Sequence, residues 1–517
     1  MESSSAPAPA ASEDPSPSPS PSSGAKAQPA EDALPEVIPI VATGDLILDA
    51  TFETSKRTLR SARRSLPRMP ASAPVDPPAR ACTRLAFRVS LAVLRRQSAY
   101  FDRLLGDARF REGRAVGEAL GRLADPSAAA AADLPWVAVQ DDDEATLYAR
   151  REVAFADLLR VLHGAGVSTQ GAAVTMQYVT TLAVLADRFD CAAAVGRYVG
   201  GAAGLKFKWP VTNKRPLGGG GGRDEALGPV MSKSTENILR QKILVSWLLN
   251  QPGKFQDATR ELIMNGSCRW SSFGEEEGDA DAATATWWYL QDGLEEELQY
   301  RRHCILNTIG SVQRHFLALY ASRGPEAQRQ CKLGYDSSAA CDSYQLGEMV
   351  KFLAHKRLLF LADFSPSSLD GLPDAALLPV DALLAALRQC PAYQVDKNHA
   401  NCGLRTRLLP ILDFVQALLS AHSVPLSRAA WKTNRQAAAW MPPPEEEVGK
   451  DRRAAAEDDP RPFCFTRSMA GDQRLRFENA MGADKFAREV FTATSWDWTA
   501  EDQGPDRVST TPRFSWR

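Results

Sequence analysis

A run of five glycines, Gly218 to Gly222, flanked by Pro216 and Pro229, interrupts this chain of 517 residues near its middle. No helix or strand is expected to cross it, because glycine has the most backbone entropy to lose and proline lacks an amide donor. The patterns on its two sides differ. Before it, short alternating runs are mixed with helical repeats; after it, the apolar spacing is almost wholly helical. The expected fold class is an α+β N-terminal unit, a short sheet with a helical cluster, followed by a mainly α-helical unit. The expected divisions are a disordered Ser/Pro/Ala-rich start (1–36), the α+β unit (37–205), a Gly/Pro-rich linker (206–232), the helical unit (233–430), and a low-order tail with a short helix in it (431–517).

Composition narrows the function classes. Net charge is −2, with 61 Lys+Arg against 63 Asp+Glu, so no global field draws the chain to nucleic acid or anionic lipid. No apolar stretch approaches the roughly 20 residues that cross a bilayer, and Met1 to Ala33 has no apolar core segment, so neither a membrane partner nor a signal peptide is expected. Nine cysteines, an odd number, point to free thiols in a reducing compartment, cytoplasmic or nuclear.

Along the first half, Leu46-Ile47-Leu48 reads as a buried strand, and Leu85, Phe87 and Val89 alternate as strand residues do. Leu91, Leu94, Phe101 and Leu105 then sit at helical spacing, with small Ser98 in the gap. Trp136 to Val139 reads as a third strand. Phe155, Leu158, Leu159 and Leu162 form one amphipathic face, as do Tyr178, Leu182, Leu185 and Phe189. A basic stretch from Lys56 to Arg80, with Arg57, Arg60, Arg63, Arg64 and Arg68, reads as a solvated insertion or as a nuclear-import or phosphate-binding patch. A second insertion covers about Gly113 to Leu134.

In the second half, Ile238, Leu239, Ile243, Leu244, Trp247 and Leu248 lie on a helix capped by Ser234 or Thr235. Trp287 to Tyr289 opens a long helical tract. Further helices are expected over 345–360, 381–388 and 404–419, the last bent or interrupted at Pro410. Glu295 to Glu297 reads as a solvated helix face. Trp496, Trp498 and Trp516 are unusual in a disordered tail and suit docking onto the body or a partner.

These pieces, taken in order, resemble a BTB/POZ domain. The resemblance is carried by Asp45-Leu46-Ile47-Leu48, by Phe87 to Leu94, by Ser98-Ala99-Tyr100-Phe101, by the Phe155–Gly164 helix and by Leu182 to Phe189. Ser90 stands where many members have His. The whole chain also resembles long fungal proteins with one N-terminal BTB domain ahead of a helical remainder. The resemblance implies a protein-interaction module that homodimerises, and either a substrate adaptor of a cullin-RING ubiquitin ligase or a transcriptional regulator. Adaptors of the family commonly carry an apolar-x-Glu tripeptide after the Ser-x-Tyr-Phe helix; Phe110-Arg111-Glu112 stands there, so Phe110 and Glu112 are the candidate partner-binding residues. The target protein is not legible.

Chemistry has one candidate cluster. Cys331, Cys341, Cys390, His399 and Cys402 are residue types that suit zinc, at spacings Cys-x9-Cys and Cys-x8-His-x2-Cys. They read either as ligands or as small buried thiols with a surface histidine; the expectation is no cofactor. A zinc-stabilised helical scaffold is the alternative to a plain helical unit. His303-Cys304 cannot form a dyad, since neighbours on a helix diverge by about 100°. No phosphate loop or Gly-x-Ser-x-Gly elbow is present, and no enzyme is expected.

Overall fold

The computed structural model describes residues 35–65, 79–169, 174–201, 204–212, 230–271, 285–322, 329–331, 333, 338–360, 377–399, 402–420, 423–442, 462–471 and 483–499. The expectations for the first 34 residues, the glycine run and Trp516 fall outside them.

The first half is built on a mixed sheet. Strands β1 (Val37–Pro39), β2 (Leu46–Glu53), β3 (Cys82–Val89) and β4 (Trp136–Asp142) lie in the order β1-β3-β2-β4. The β2–β3 pair is antiparallel and β4 runs parallel to β2. Alternation sorts the two faces. Leu46, Leu48, Ala50 and Phe52 point with Phe87 and Val89 into a core closed by α5 (Arg151–Leu162), α6 (Met176–Arg188) and α7 (Ala192–Gly200). Ile47 and Ala86 point the other way and are covered by Leu134, Leu123, Ala129 and Ala131. The second insertion therefore roofs the outer face of the sheet. Arg88 holds that roof by donating to Ser127 O and Ala129 O, both at 3.1 Å.

Local residues explain the helix boundaries. The helical stripe from Leu91 to Leu105 is two helices, α2 (Leu91–Gln97) and α3 (Ala99–Gly106). Ser98 breaks it in extended backbone, caps α3 by accepting from Phe101 N, and donates to Phe189 O at 2.6 Å. Asp45 accepts from Leu91 N at 2.7 Å and so fixes the entry to α2. The Ser90 amide donates to His163 Nε2 at 3.1 Å, which ties that entry to the end of α5. Phe155 meets the rings of Phe52, Phe87 and Phe189, and Phe101 stacks on Phe189. The basic stretch begins as a helix, α1 (Lys56–Ser65), and the polar segment after α3 contains α4 (Arg111–Gly121). Gly113, Gly117 and Gly121 lower the propensity of α4 and hid it in the sequence.

The second half is helical. It comprises α8 (Lys233–Leu248), α9 (Pro252–Asn265), the single turn α10 (Cys268–Ser271), the 28-residue α11 (Leu294–Ala321), α12 (Ser338–His355), α13 (Val380–Leu387) and α14 (Arg405–Ser420). The Trp287 segment is a short 3-10 turn, and α11 starts only after Gly293, whose φ of +67° suits glycine. Pro410 lies within α14, which continues past it. No helix among the described residues is long and apolar enough to cross a membrane.

Two expectations need correction. Glu295 and Glu297 are buried, not solvated. Glu295 receives both terminal nitrogens of Arg240 at 2.7 and 2.8 Å, and Glu297 pairs with Arg301 at 2.7 Å. The described part of the tail is also more ordered than expected: beside a short helix, Ala483–Phe491, it packs on the body. Trp431, Trp440, Phe463, Phe465, Val490, Phe491 and Trp498 all join the core of the helical half. Glu297 accepts from Trp440 N, and β5 (Phe463–Cys464) pairs with β6 (Trp496–Asp497).

The halves share α8. Its Leu239, Ile243 and Trp247 belong to the helical core, while Val245, with Leu249 just beyond the helix, belongs to the core of the α+β half. A Cβ on Gly196 of α7 would stand 2.6 Å from Leu249 O, so glycine is what allows this approach.

Candidate metal centre and interaction face

Four side chains from separate stretches meet at one buried point: Cys331, Cys341, His399 and Cys402. Their ligand atoms all lie within 4.8 Å of one another. Cys331 lies between α11 and α12, outside any helix or strand. Cys341 is on the first turn of α12. The two are drawn together by Asp342, whose carboxylate accepts from Gln330 N at 2.9 Å. His399 ends a 3-10 turn, Lys397–His399, capped by Asp396 Oδ1. Cys402 N donates to His399 O at 3.2 Å, which brings the two residues of the His-x2-Cys spacing together. Gly403 follows, just ahead of α14, where a Cβ would press on Tyr393 O at 3.0 Å.

The distances are specific. Cys331 Sγ stands 3.8 Å from Cys402 Sγ and 3.5 Å from His399 Nδ1. The far ring nitrogen, Nε2, faces Asp396 Oδ2 at 3.8 Å. Burial works against ionisation of Cys331, but the Leu333 amide and the Ser338, Cys402 and Cys341 side chains outweigh it and bring the thiol down to about 7. Burial pushes the Cys341 thiol up, and the neighbouring sulfurs of Cys331 and Cys402 add to that. A Cys331–His399 pair has the makings of a nucleophile and its base, but among the described residues both are buried, at 6% and 3% exposure.

Cys390, the fifth candidate, does not join. It lies in the helical core, continuing the apolar stripe of Val380, Leu383 and Leu387 on α13, with its sulfur facing Pro391 O. That periodicity was the sequence signal that separates it from the other four. The supporting residues Asp342 and Asp396 were not singled out in the sequence; acidic residues adjacent to candidate ligands are too common to stand out.

The second candidate feature is on the α+β half. Phe110 is the N-cap residue of α4 and is 45% exposed; Glu112 lies half-buried in the first turn. The α3–α4 turn that presents them is tight, since a Cβ on Gly113 would strike Asp107 O at 2.5 Å. Tyr100 on α3 is 38% exposed. Among the described aromatic residues of this half, Tyr100 and Phe110 are the exposed ones; Val211, ahead of the glycine run, is more open still at 62%.

No protein-family model, curated protein or solved structure matches the chain.

Proposed function

We propose that this chain is a protein-interaction module of the BTB/POZ type. In this reading the α+β half pairs with a second copy and recruits a cullin-type scaffold, and the helical half holds the target protein. The observation that carries it is the exposed aromatic Phe110, presented by a rigid turn directly before Glu112. An exposed aromatic at a helix start is a poor investment for stability and a good anchor for a partner. Supporting it, the residues behind the resemblance, Asp45, Ser98, Phe101, Phe155 and Phe189, act on one core.

Two measurements test the reading on the intact chain. Sedimentation at micromolar concentration is expected to give the mass of a dimer; a monomer removes the pairing. In a pull-down, Phe110→Ala and Glu112→Lys are each expected to reduce cullin capture over tenfold, since a buried aromatic anchor is worth about 2 kcal/mol or more at an interface. Equal capture by wild type and both variants removes the motif, and no cullin in any lane removes the adaptor role. A second reading, a scaffold or transcriptional regulator whose helical half is the working module, draws on the convergence of the four metal-type ligands in that half.

A further inference from the structure

We propose that Cys331, Cys341, His399 and Cys402 bind one zinc ion as a closed structural site. This stands independently of the interaction reading, since none of the four residues lies on the α3–α4 face.

Geometry is the first argument. Zinc binds thiolate sulfur at about 2.3 Å and imidazole nitrogen at about 2.0–2.1 Å, tetrahedrally, which sets ligand-to-ligand spans of about 3.8 Å for sulfur–sulfur and about 3.5 Å for sulfur–nitrogen. The spans observed are 3.8 Å for Cys331–Cys402 and 3.5 Å for Cys331–His399. The sulfurs are too far apart for a disulfide, which needs about 2.05 Å.

The surroundings are the second argument. A free cysteine used as a small hydrophobe buries itself among aliphatic side chains, as Cys390 does. Cys331, Cys341 and Cys402 instead form a small cluster of their own; among the described residues Leu333 is the partly buried hydrophobic packed against it. Three thiols and an imidazole gathered from positions up to 71 residues apart make a poor apolar core and a good donor set for zinc. The carboxylate of Asp396 beside the far nitrogen is the outer partner that zinc-bound histidines usually have.

On binding, each of the three thiols gives its proton to solvent and the imidazole stays neutral. Three thiolates against a divalent ion leave the site one negative charge. Arg407, which donates to Gln330 O at 3.1 Å directly before Cys331, supplies a cation next to it. Four protein ligands leave no open position for water, so the ion staples rather than catalyses. What it joins is the segment after α11, the start of α12 and the turn ahead of α14.

The test uses the full chain purified under reducing conditions. Elemental analysis is expected to find one zinc per chain, retained in Cys390→Ser and lost in Cys341→Ser/Cys402→Ser. Because a failure of the double variant to fold would also lose the zinc, the wild-type chain is stripped and reloaded with cobalt as a second measurement. The expected spectrum has the visible bands of tetrahedral cobalt and a near-ultraviolet thiolate-to-cobalt band. In His399→Cys these bands are expected to persist and shift towards those of a four-thiolate site. Wild-type protein that carries no zinc and gives no tetrahedral cobalt spectrum overturns the proposal. So does alkylation of Cys331 at the same rate in the zinc-loaded chain and in the chain stripped of metal. Neither outcome touches the Phe110 pull-down.

Discussion

Arg240→Ala is expected to lower the folding stability of the chain by about 3–5 kcal/mol, the usual cost of stranding a buried charge. Arg240 is fully buried between two carboxylates, Glu236 one turn before it and Glu295 at the start of α11. Its guanidinium also donates to Ser267 Oγ at 3.0 Å and Trp288 O at 3.2 Å, and lies 5.3 Å from the Trp288 ring. Burial alone lowers the pKa of a guanidinium, yet the bonds and charges of Glu295 and Glu236 outweigh it and hold Arg240 above its usual range. Removing Arg240 leaves both carboxylates together in a dry site, where each repels the other. Urea unfolding followed by tryptophan fluorescence is the measurement. Replacing Glu236, Arg240 and Glu295 together by apolar residues of similar volume is expected to cost far less, since the net worth of a buried ion pair is small once its desolvation is counted. A single-variant loss below about 1 kcal/mol would mean that the network does not form.

Trp498→Ala is the second large effect, at about 3–5 kcal/mol for truncating a buried tryptophan. Trp498 is 1% exposed, touches the rings of Phe463 and Phe465, and donates its indole N–H to Ser311 Oγ on α11 at 2.9 Å. Next to it, Thr499 Oγ1 lies 2.9 Å from His315 Nε2. The substitution empties the middle of the docked tail and leaves the Ser311 hydroxyl without its indole partner. Limited proteolysis is expected to cut the variant within residues 462–499 under conditions where the wild-type chain stays intact. A protease pattern unchanged from wild type would show that the tail is held elsewhere.

The sequence revealed some of this and hid the rest for identifiable reasons. The strands and amphipathic helices of the first half were legible because Leu46, Phe87, Phe155 and Leu182 follow simple two- or four-residue rhythms. The tail was not, because its anchors Trp440, Phe463 and Trp498 are single aromatics in polar text, and their partners lie on α11 and α14. Glu295 looked solvated because an acidic triplet gives no hint that Arg240, 55 positions away, will meet it, and Glu297 because an Arg301 four residues on reads as an ordinary surface pair. For the metal centre, the residue types and the His-x2-Cys spacing were on view. The convergence was not, since Cys331 and His399 come together through tertiary contacts: Gln345 of α12 donates to Tyr393 O, and Arg407 of α14 donates to Gln330 O.

Cutting the chain in the glycine run would not release two finished units. A fragment ending before residue 230 loses Val245 and Leu249 from its interior, and Gly196 then faces water instead of Leu249 O. A fragment beginning there carries those same side chains bare. Each piece would bear a raw apolar scar, ready to hold any greasy protein it meets. Partners mapped by halving the molecule would report the wound. Single substitutions on the outside, such as those at Phe110 and Glu112, leave the shared helix covered on both sides and keep the question about the intact protein.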